Sequence, residues 1–127
     1  PLHRLPGDPD RPILSEYHAM GSRTGCFMLR RGRLKLVTYA DPAYPDELYD
    51  LDADPEELTD LGADPAFEEE RKALHTALRT LVDPAHADSV AKARQADLLA
   101  AHGGREAVIA RGDLGFSPPP GVKADFR

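Results

Sequence analysis

Residues 47–65 have the sequence ELYDLDADPEELTDLGADP, and this stretch decides how the chain is organised. Its first part, residues 47–51, favours a short strand that leads into an aspartate-rich turn stiffened by Pro55. Asp64 is a favourable helix N-cap, and Pro65 suits the first helical position, where its missing N–H is not needed. The stretch therefore predicts a joint at which the strands end and the helices begin.

Three further strands are predicted before this joint, over residues 13–17, 26–30 and 34–39. In the last of them Leu34 and Leu36 alternate with more polar neighbours, as in a half-buried strand. Arg31-Gly32 separates the last two strands, and a two-residue connection that contains glycine is typical of a β-hairpin. Together with residues 47–51 these segments predict a small antiparallel sheet of four strands over residues 13–51.

Two helices are predicted after the joint, over residues 65–82 and 84–102. Glutamates at the start of the first suit the positive end of the helix dipole, and Asp83-Pro84 repeats the start signal before the second. The apolar residues of the first helix recur at helical spacing; they are Phe67, Leu74, Leu78, Leu81 and Val82. The second carries a stripe of Ala87, Val90, Ala91, Leu98 and Ala101. It ends at Gly103-Gly104, and a short further turn of helix follows at residues 105–111.

These elements predict an α+β fold, in which a small four-stranded antiparallel sheet is packed by a long C-terminal helix, with a further helix and an extended tail. Residues 1–12 are expected to form an extended arm or linker. Residues 113–127, which include three consecutive prolines, are expected to form a Pro-rich tail that favours polyproline II. The domain between them is expected to cover residues 13–112.

Composition limits the function. The chain has 127 residues, which suffices for one domain, and its net charge of −6 argues against nucleic acid as a partner. No apolar run approaches the roughly 20 residues that span a bilayer, so no membrane partner is expected. The first residues lack a signal-peptide core, and the single cysteine fits a reducing compartment, which together favour a cytoplasmic location. A chain that begins with Pro1 fits a piece of a longer protein.

The acidic turn resembles a calcium loop only in part. Asp50, Asp52 and Asp54 have the spacing of the first three ligands of an EF-hand. The glycine and the bidentate glutamate that the loop needs later are replaced by Pro55 and Leu61. No metal ligand is therefore predicted, and the aspartates are interpreted as caps of a turn.

The loop GSRTG at residues 21–25 has two readings. Its glycines and the donors of Ser22, Arg23 and Thr24 could contact an anion, or the loop could simply connect two strands. His18, close to Glu16 and Ser22, suggests a hydrolase triad, but closeness in sequence does not establish triad geometry. No catalytic residue is therefore assigned.

Cys26 and the cations of the β-hairpin also have both a structural and a functional interpretation. Cys26 opens an apolar strand, which favours a buried small side chain over a reactive thiol. The cations Arg30, Arg31, Arg33 and Lys35 crowd one hairpin. They could bind nucleic acid, but the clustered aromatic residues of a stacking platform are absent, which favours solvated or ion-paired cations.

Residues 15–65 resemble the C-terminal subdomain of sulfatases of the alkaline phosphatase superfamily. In that family a strand of the type S-E-Y is followed by an R-x-G-[RK]-x-K hairpin and then by L-[YF]-D-L-x-x-D-P-x-E-x-x-[ND]-L. The corresponding residues here are Ser15-Glu16-Tyr17, Arg30 to Lys35, and Leu48-Tyr49-Asp50-Leu51 with Asp54-Pro55, Glu57, Asp60 and Leu61. The match keeps order and spacing over about fifty residues.

The resemblance implies that the chain is roughly the last quarter of a sulfatase, docked on a catalytic domain as its partner. Members of the family use a formylglycine, made within a C-x-P-x-R or S-x-P-x-R motif, and a divalent cation such as calcium. Neither motif occurs here, so the resemblance implies no cofactor in this chain and no catalysis by it alone. It also implies that the loop after the first strand can face the substrate pocket, which makes His18 and Arg23 the candidate substrate-binding residues.

The alternative, from another class, is a free-standing interaction or oligomerisation module without catalytic activity. In either case a homo-oligomer is expected of the separate chain, because a subdomain without its parent exposes apolar surface.

Overall fold

A computed structural model describes residues 8, 10–19 and 22–111. Within this part of the chain, β1 (Ile13–Tyr17), β2 (Cys26–Arg31), β3 (Leu34–Tyr39) and β4 (Glu47–Asp50) form one sheet in the order β1-β2-β3-β4, with every neighbouring pair antiparallel. A 3-10 turn at Pro65–Phe67 precedes α1 (Glu68–Leu81), α2 (Pro84–Ala101) and α3 (Gly104–Arg111). The predicted α+β class with four antiparallel strands is confirmed.

The β2–β3 hairpin turns one residue later than predicted. Arg31 pairs with Leu34, so the connecting residues are Gly32-Arg33 rather than Arg31-Gly32. Gly32 has a φ of +58°, a left-handed conformation that glycine adopts at little cost and that the first central residue of a type II′ turn requires. The position of the glycine, rather than the end of the apolar run, sets the turn.

The core lies between one face of the sheet and α1. Strand residues alternate in burial, and those on the face towards α1 are the buried ones. On α1 only Leu74 and Leu78 are buried, whereas Leu81 is 49% exposed although its spacing placed it on the predicted stripe. The core residues are Phe27, Leu29, Leu34, Leu36, Leu48, Leu74 and Leu78.

The joint between sheet and helix is held by its acidic residues. Asp60 accepts the Leu48 N–H at 2.9 Å, and the Leu61 N–H donates to the Leu48 carbonyl at 2.8 Å, so the outer edge of β4 is covered. Asp64 accepts the Ala66 N–H at 2.9 Å, which confirms its predicted capping role. The regular α-helix nevertheless begins at Glu68 because the first turn is 3-10.

The second predicted helix forms as α2. All residues of α2 are described, and none of them is buried. Ala87 packs partly against the core, while Leu98 of the predicted stripe is 54% exposed. The chain divides into two compact units, one up to Ser89 and one from Val90, so α2 begins in the first and continues in the second.

Three predictions concern the ends and the location of the chain. Most of the predicted arm at residues 1–12 and the whole predicted tail at residues 113–127 lie outside the described residues. Within the described part, no helix is long and apolar enough to cross a membrane.

Candidate functional site

The loop between β1 and β2 carries both candidate substrate-binding residues, His18 and Arg23. The loop leaves the sheet after Tyr17 and returns at Cys26, and these two residues pair across the strands. Arg23 is exposed, whereas His18 is half-buried. Gly21, the first glycine of GSRTG, lies outside the described residues, so the anion contact and the simple connection both remain open interpretations of this loop.

The His18 imidazole is held by its neighbours on β1 and β2. Its Nε2 lies 3.3 Å from the Glu16 carboxylate. Its ring meets Phe27 edge-on, with centroids 5.4 Å apart and planes at 80°, a favourable aromatic geometry. Because Phe27 belongs to the fully buried core, one side of the imidazole rests on a rigid surface.

The hydroxyl groups of the loop are used within the fold. Ser22 Oγ donates to the Thr24 carbonyl at 2.7 Å, so it does not serve His18 as a nucleophile partner. Thr24 Oγ1 donates to the Gly25 carbonyl at 3.2 Å and accepts the Asp41 N–H at 2.9 Å. These bonds tie the loop to the connection between β3 and β4 and leave the suggested triad unformed.

A second anchor comes from far along the chain. Asp88, in the first turns of α2, accepts the Gly25 N–H at 2.7 Å across 63 positions of sequence. The sequence did not predict this contact, because no motif links the two residues. The available signal was a glycine immediately before a strand, which can mark a close approach of another group to the backbone.

The aspartates of the acidic turn act on the backbone, as interpreted from the sequence. Asp50 accepts the N–H groups of Asp52 and Ala53, and its other oxygen forms an ion pair with Arg33. Asp54 accepts the Thr59 N–H at 2.8 Å. Among the described residues, no group of three or more His, Cys, Asp or Glu side chains could hold a metal ion.

The cations of the hairpin are largely engaged. Besides the Arg33 ion pair, Lys35 pairs with Glu57 and lies 5.6 Å from the centroid of the Tyr49 ring. Glu57, which pairs with Lys35, has a left-handed backbone conformation with a φ of +57°. This conformation is uncommon for a residue with a side chain. Arg33 and Lys35 are thus ion-paired cations, as the sequence favoured.

A polar cluster at the start of β4 was not predicted. His75 of α1 lies 2.6 Å from one oxygen of Asp46, and Thr38 donates to the other at 2.7 Å. All three side chains lie where β3, α1 and the β3–β4 connection meet. The geometry joins the helix to the sheet through a polar contact beside the apolar core.

The sheet face opposite α1, called here the outer sheet face, is rich in tyrosine. Glu47 accepts the hydroxyls of Tyr39 and Tyr49, each at 2.8 Å, and this bond to the carboxylate, aided by burial, raises the pKa of both phenols to about 12. Burial, with a smaller effect of Glu47, raises the pKa of the half-buried Cys26 thiol, which supports its interpretation as unreactive. The register places on this face Ile13, Ser15, Tyr17, Cys26, Met28, Arg30, Lys35, Val37, Tyr39, Glu47 and Tyr49.

Solved structures resemble part of this chain. No family model and no curated protein matches it. The structure of BT4656 in complex with its substrate D-glucosamine-2-N,6-O-disulfate matches with a TM-score of 0.50 and 22% identity, over 58% of this chain and 17% of that one. A candidate sulfatase from Bacteroides thetaiotaomicron VPI-5482 matches with a TM-score of 0.45 and 32% identity, over 54% and 15%.

The matched part of this chain spans about a sixth of the length of the structures it matches. The predicted resemblance to sulfatases is confirmed, as a likeness of fold that covers part of the chain.

Proposed function

We propose that this chain is the C-terminal subdomain of a sulfatase, a sulfuric ester hydrolase, in which it supports the catalytic domain and lends the loop at residues 18–25 to the rim of the substrate pocket. The observation that carries the proposal is the shared fold with BT4656, over a segment that is only 17% of that protein. A segment of this size within a larger enzyme suits a supporting role.

The motif residues behind the sequence resemblance have structural roles that suit such a subdomain. Glu57 forms an ion pair with Lys35, and Asp60 covers the edge of β4. Asp50 caps the acidic turn. These residues stabilise the sheet and the joint. Their structural roles account for the motif without a catalytic role.

The chemistry of the family is expected to come from elsewhere in the proposed enzyme. The sequence has no C-x-P-x-R or S-x-P-x-R motif from which a formylglycine could form. The described carboxylates do not fit the family's divalent cation, since Asp50 and Asp54 are bound to backbone N–H groups and to Arg33. We propose no catalytic step for this chain.

His18 and Arg23 are the proposed points of contact with a substrate. An imidazolium or a guanidinium can donate charge-assisted hydrogen bonds to the oxygens of a sulfate group. Arg23 is exposed on the loop, and His18 is held at its base by Phe27 and Glu16. Their proposed role is to recognise the substrate at the pocket rim, with bond cleavage left to the catalytic domain.

The reading frame that encodes the chain tests this proposal most directly. We expect an in-frame C-x-P-x-R or S-x-P-x-R motif several hundred residues upstream. A start codon immediately before Pro1 would contradict the proposal and favour an independent interaction module.

An activity assay gives a second test. The purified chain, incubated with an aryl sulfate and calcium, is expected to release no product above the buffer control. Calcium-dependent turnover by the chain alone would show that it carries its own catalytic residues.

A further inference from the structure

We infer that Gly25 and Asp88 are positioning residues for the His18 imidazole. The inference rests on the proposed role of His18 at the substrate pocket and extends it to Gly25, named so far only as a loop glycine, and to Asp88. Asp88 acts through Gly25, and neither residue is expected to touch substrate.

The imidazole and the Asp88 carboxylate both lie close to the side of Gly25 on which a side chain would stand. A Cβ atom on Gly25 would lie 2.8 Å from His18 Cε1, 2.9 Å from His18 Nδ1 and 3.2 Å from Asp88 Oδ1. The first two distances are below any normal contact of a Cβ atom. A glycine is therefore required for the imidazole to occupy its observed place.

The Gly25 backbone is fixed on both sides. Its N–H donates to Asp88 at 2.7 Å, and its carbonyl accepts the Ala40 N–H at 3.0 Å. The imidazole thus has Gly25 against its Cε1 and Nδ1 atoms and the ring of Phe27 against another side. Phe27 belongs to the core and Ala40 follows directly on β3, whereas Asp88 is an anchor contributed by a helix.

This anchor gives α2 a role despite its lack of buried residues. The helix start is capped by Asp83, which accepts the Ala85 and His86 N–H groups, and this fixes the turn that presents Asp88. The position of α2 is thereby coupled to the position of His18 through one hydrogen bond to the backbone.

NMR on the full chain tests the inference. His18→Gln assigns the His18 signals among those of the five histidines. Because the Phe27 ring lies beside the imidazole, a displacement of His18 changes the shift of its Cε1 proton. Gly25→Ala and Asp88→Ala are both expected to move that signal, and Asp88→Ala is expected to speed hydrogen exchange at the Gly25 amide about tenfold, as loss of one hydrogen bond predicts.

Two further variants sharpen the test. Asp88→Asn keeps a side-chain oxygen that can accept the Gly25 N–H, so it is expected to restore most of the native His18 signal and amide protection. Asp97→Ala, which removes an exposed carboxylate further along α2, is the matched control and should leave both unchanged. If Gly25→Ala does not fold, the Asp88 series decides alone. An unmoved His18 signal or an unchanged Gly25 amide in Asp88→Ala would overturn the inference.

The outcome is independent of the proposed function. The NMR measurement needs neither a catalytic domain nor a substrate, so positioning can fail while the reading frame still reveals a sulfatase. Conversely, a start codon immediately before Pro1 would argue against the proposed substrate pocket. The measured coupling between Asp88 and His18 would still stand.

Discussion

At the scale of single residues, Glu47 shows how one side chain organises a surface. Its two oxygens accept separate hydroxyls, from Tyr39 and Tyr49, so both phenols stay protonated to a higher pH than usual. A phenolate beside the carboxylate would lose the hydrogen bond and gain a like charge. The arrangement is therefore stable only while both tyrosines keep their protons.

Glu47→Gln is expected to lower the pKa of Tyr39 and Tyr49 from about 12 towards the ordinary value of 10.0. Since the folded-state pKa lies above the unfolded one, the contribution to stability is complete below about pH 10 and is lost as the pH rises towards 12. Ultraviolet titration of tyrosinate absorbance in the folded chain measures the shift. Glu56→Gln, an exposed neighbour, serves as the control, and equal titration curves for both variants would refute the assignment.

Gly62 is a second single residue on which the local structure depends, in this case for steric reasons. A Cβ there would lie 2.2 Å from the backbone oxygen of Asp46, an atom that cannot move without shifting the strand entry. Gly62→Ala is therefore expected to cost about 3 kcal/mol in urea unfolding. Gly104→Ala is the contrast, because Gly104 has a φ of +87° but no neighbour within 4 Å, and about 1 kcal/mol of backbone strain is expected there. Equal costs would mean that the close approach of the Asp46 backbone oxygen does not add to the need for glycine at position 62.

At the scale of elements, α1 is attached by two buried leucines and by polar contacts of Arg71 and His75. Leu74 and Leu78 are its buried residues, and His75 between them reaches Asp46 at the start of β4. The charged residues at its first turn, which include a Glu68–Lys72 ion pair, face solvent. Burial of one narrow stripe therefore helps to attach the helix, while the ion-paired charges of its first turn lie at the surface.

Leu78→Ala is expected to destabilise the chain by about 3 kcal/mol, because the side chain is 1% exposed and its removal leaves a cavity under the sheet. Leu81→Ala, at a position 49% exposed on the same helix, is expected to cost less than about 1 kcal/mol. Denaturant unfolding of the two variants measures the difference. A loss for Leu81→Ala as large as for Leu78→Ala would mean that the helix packs on a different face.

Local signals predicted much of this arrangement. Alternating apolar residues located the strands, and Asp64-Pro65 and Asp83-Pro84 located the helix starts, because caps and strand periodicity depend on near neighbours only. No residue of the α2 stripe is buried, since periodicity shows which residues could share a face and not whether a second surface meets it. The bonds from Asp88 to Gly25 and from His75 to Asp46 were missed, because they join residues 63 and 29 positions apart.

At the scale of the whole molecule, the two faces of the sheet differ in what meets them. One face packs on α1 and forms the core. On the outer sheet face the polar groups at the centre are already bonded to one another, while Tyr17 at its edge is 64% exposed. Tyrosine-rich surfaces of this kind are typical of protein interfaces, since the ring offers apolar area and the hydroxyl keeps a partner.

The separate chain is therefore expected to associate through the outer sheet face. Light scattering at high concentration should give a mass above the 13.9 kDa of one chain. Tyr17→Glu should return the mass towards the monomer, because association would bury an unpaired carboxylate, while the exposed position leaves the fold intact. Leu81→Glu introduces the same charge at a residue 49% exposed on α1, which packs on the opposite face of the sheet, and should leave the mass unchanged. A monomeric wild-type chain, or equal masses for the two variants, would show that the outer sheet face does not drive association.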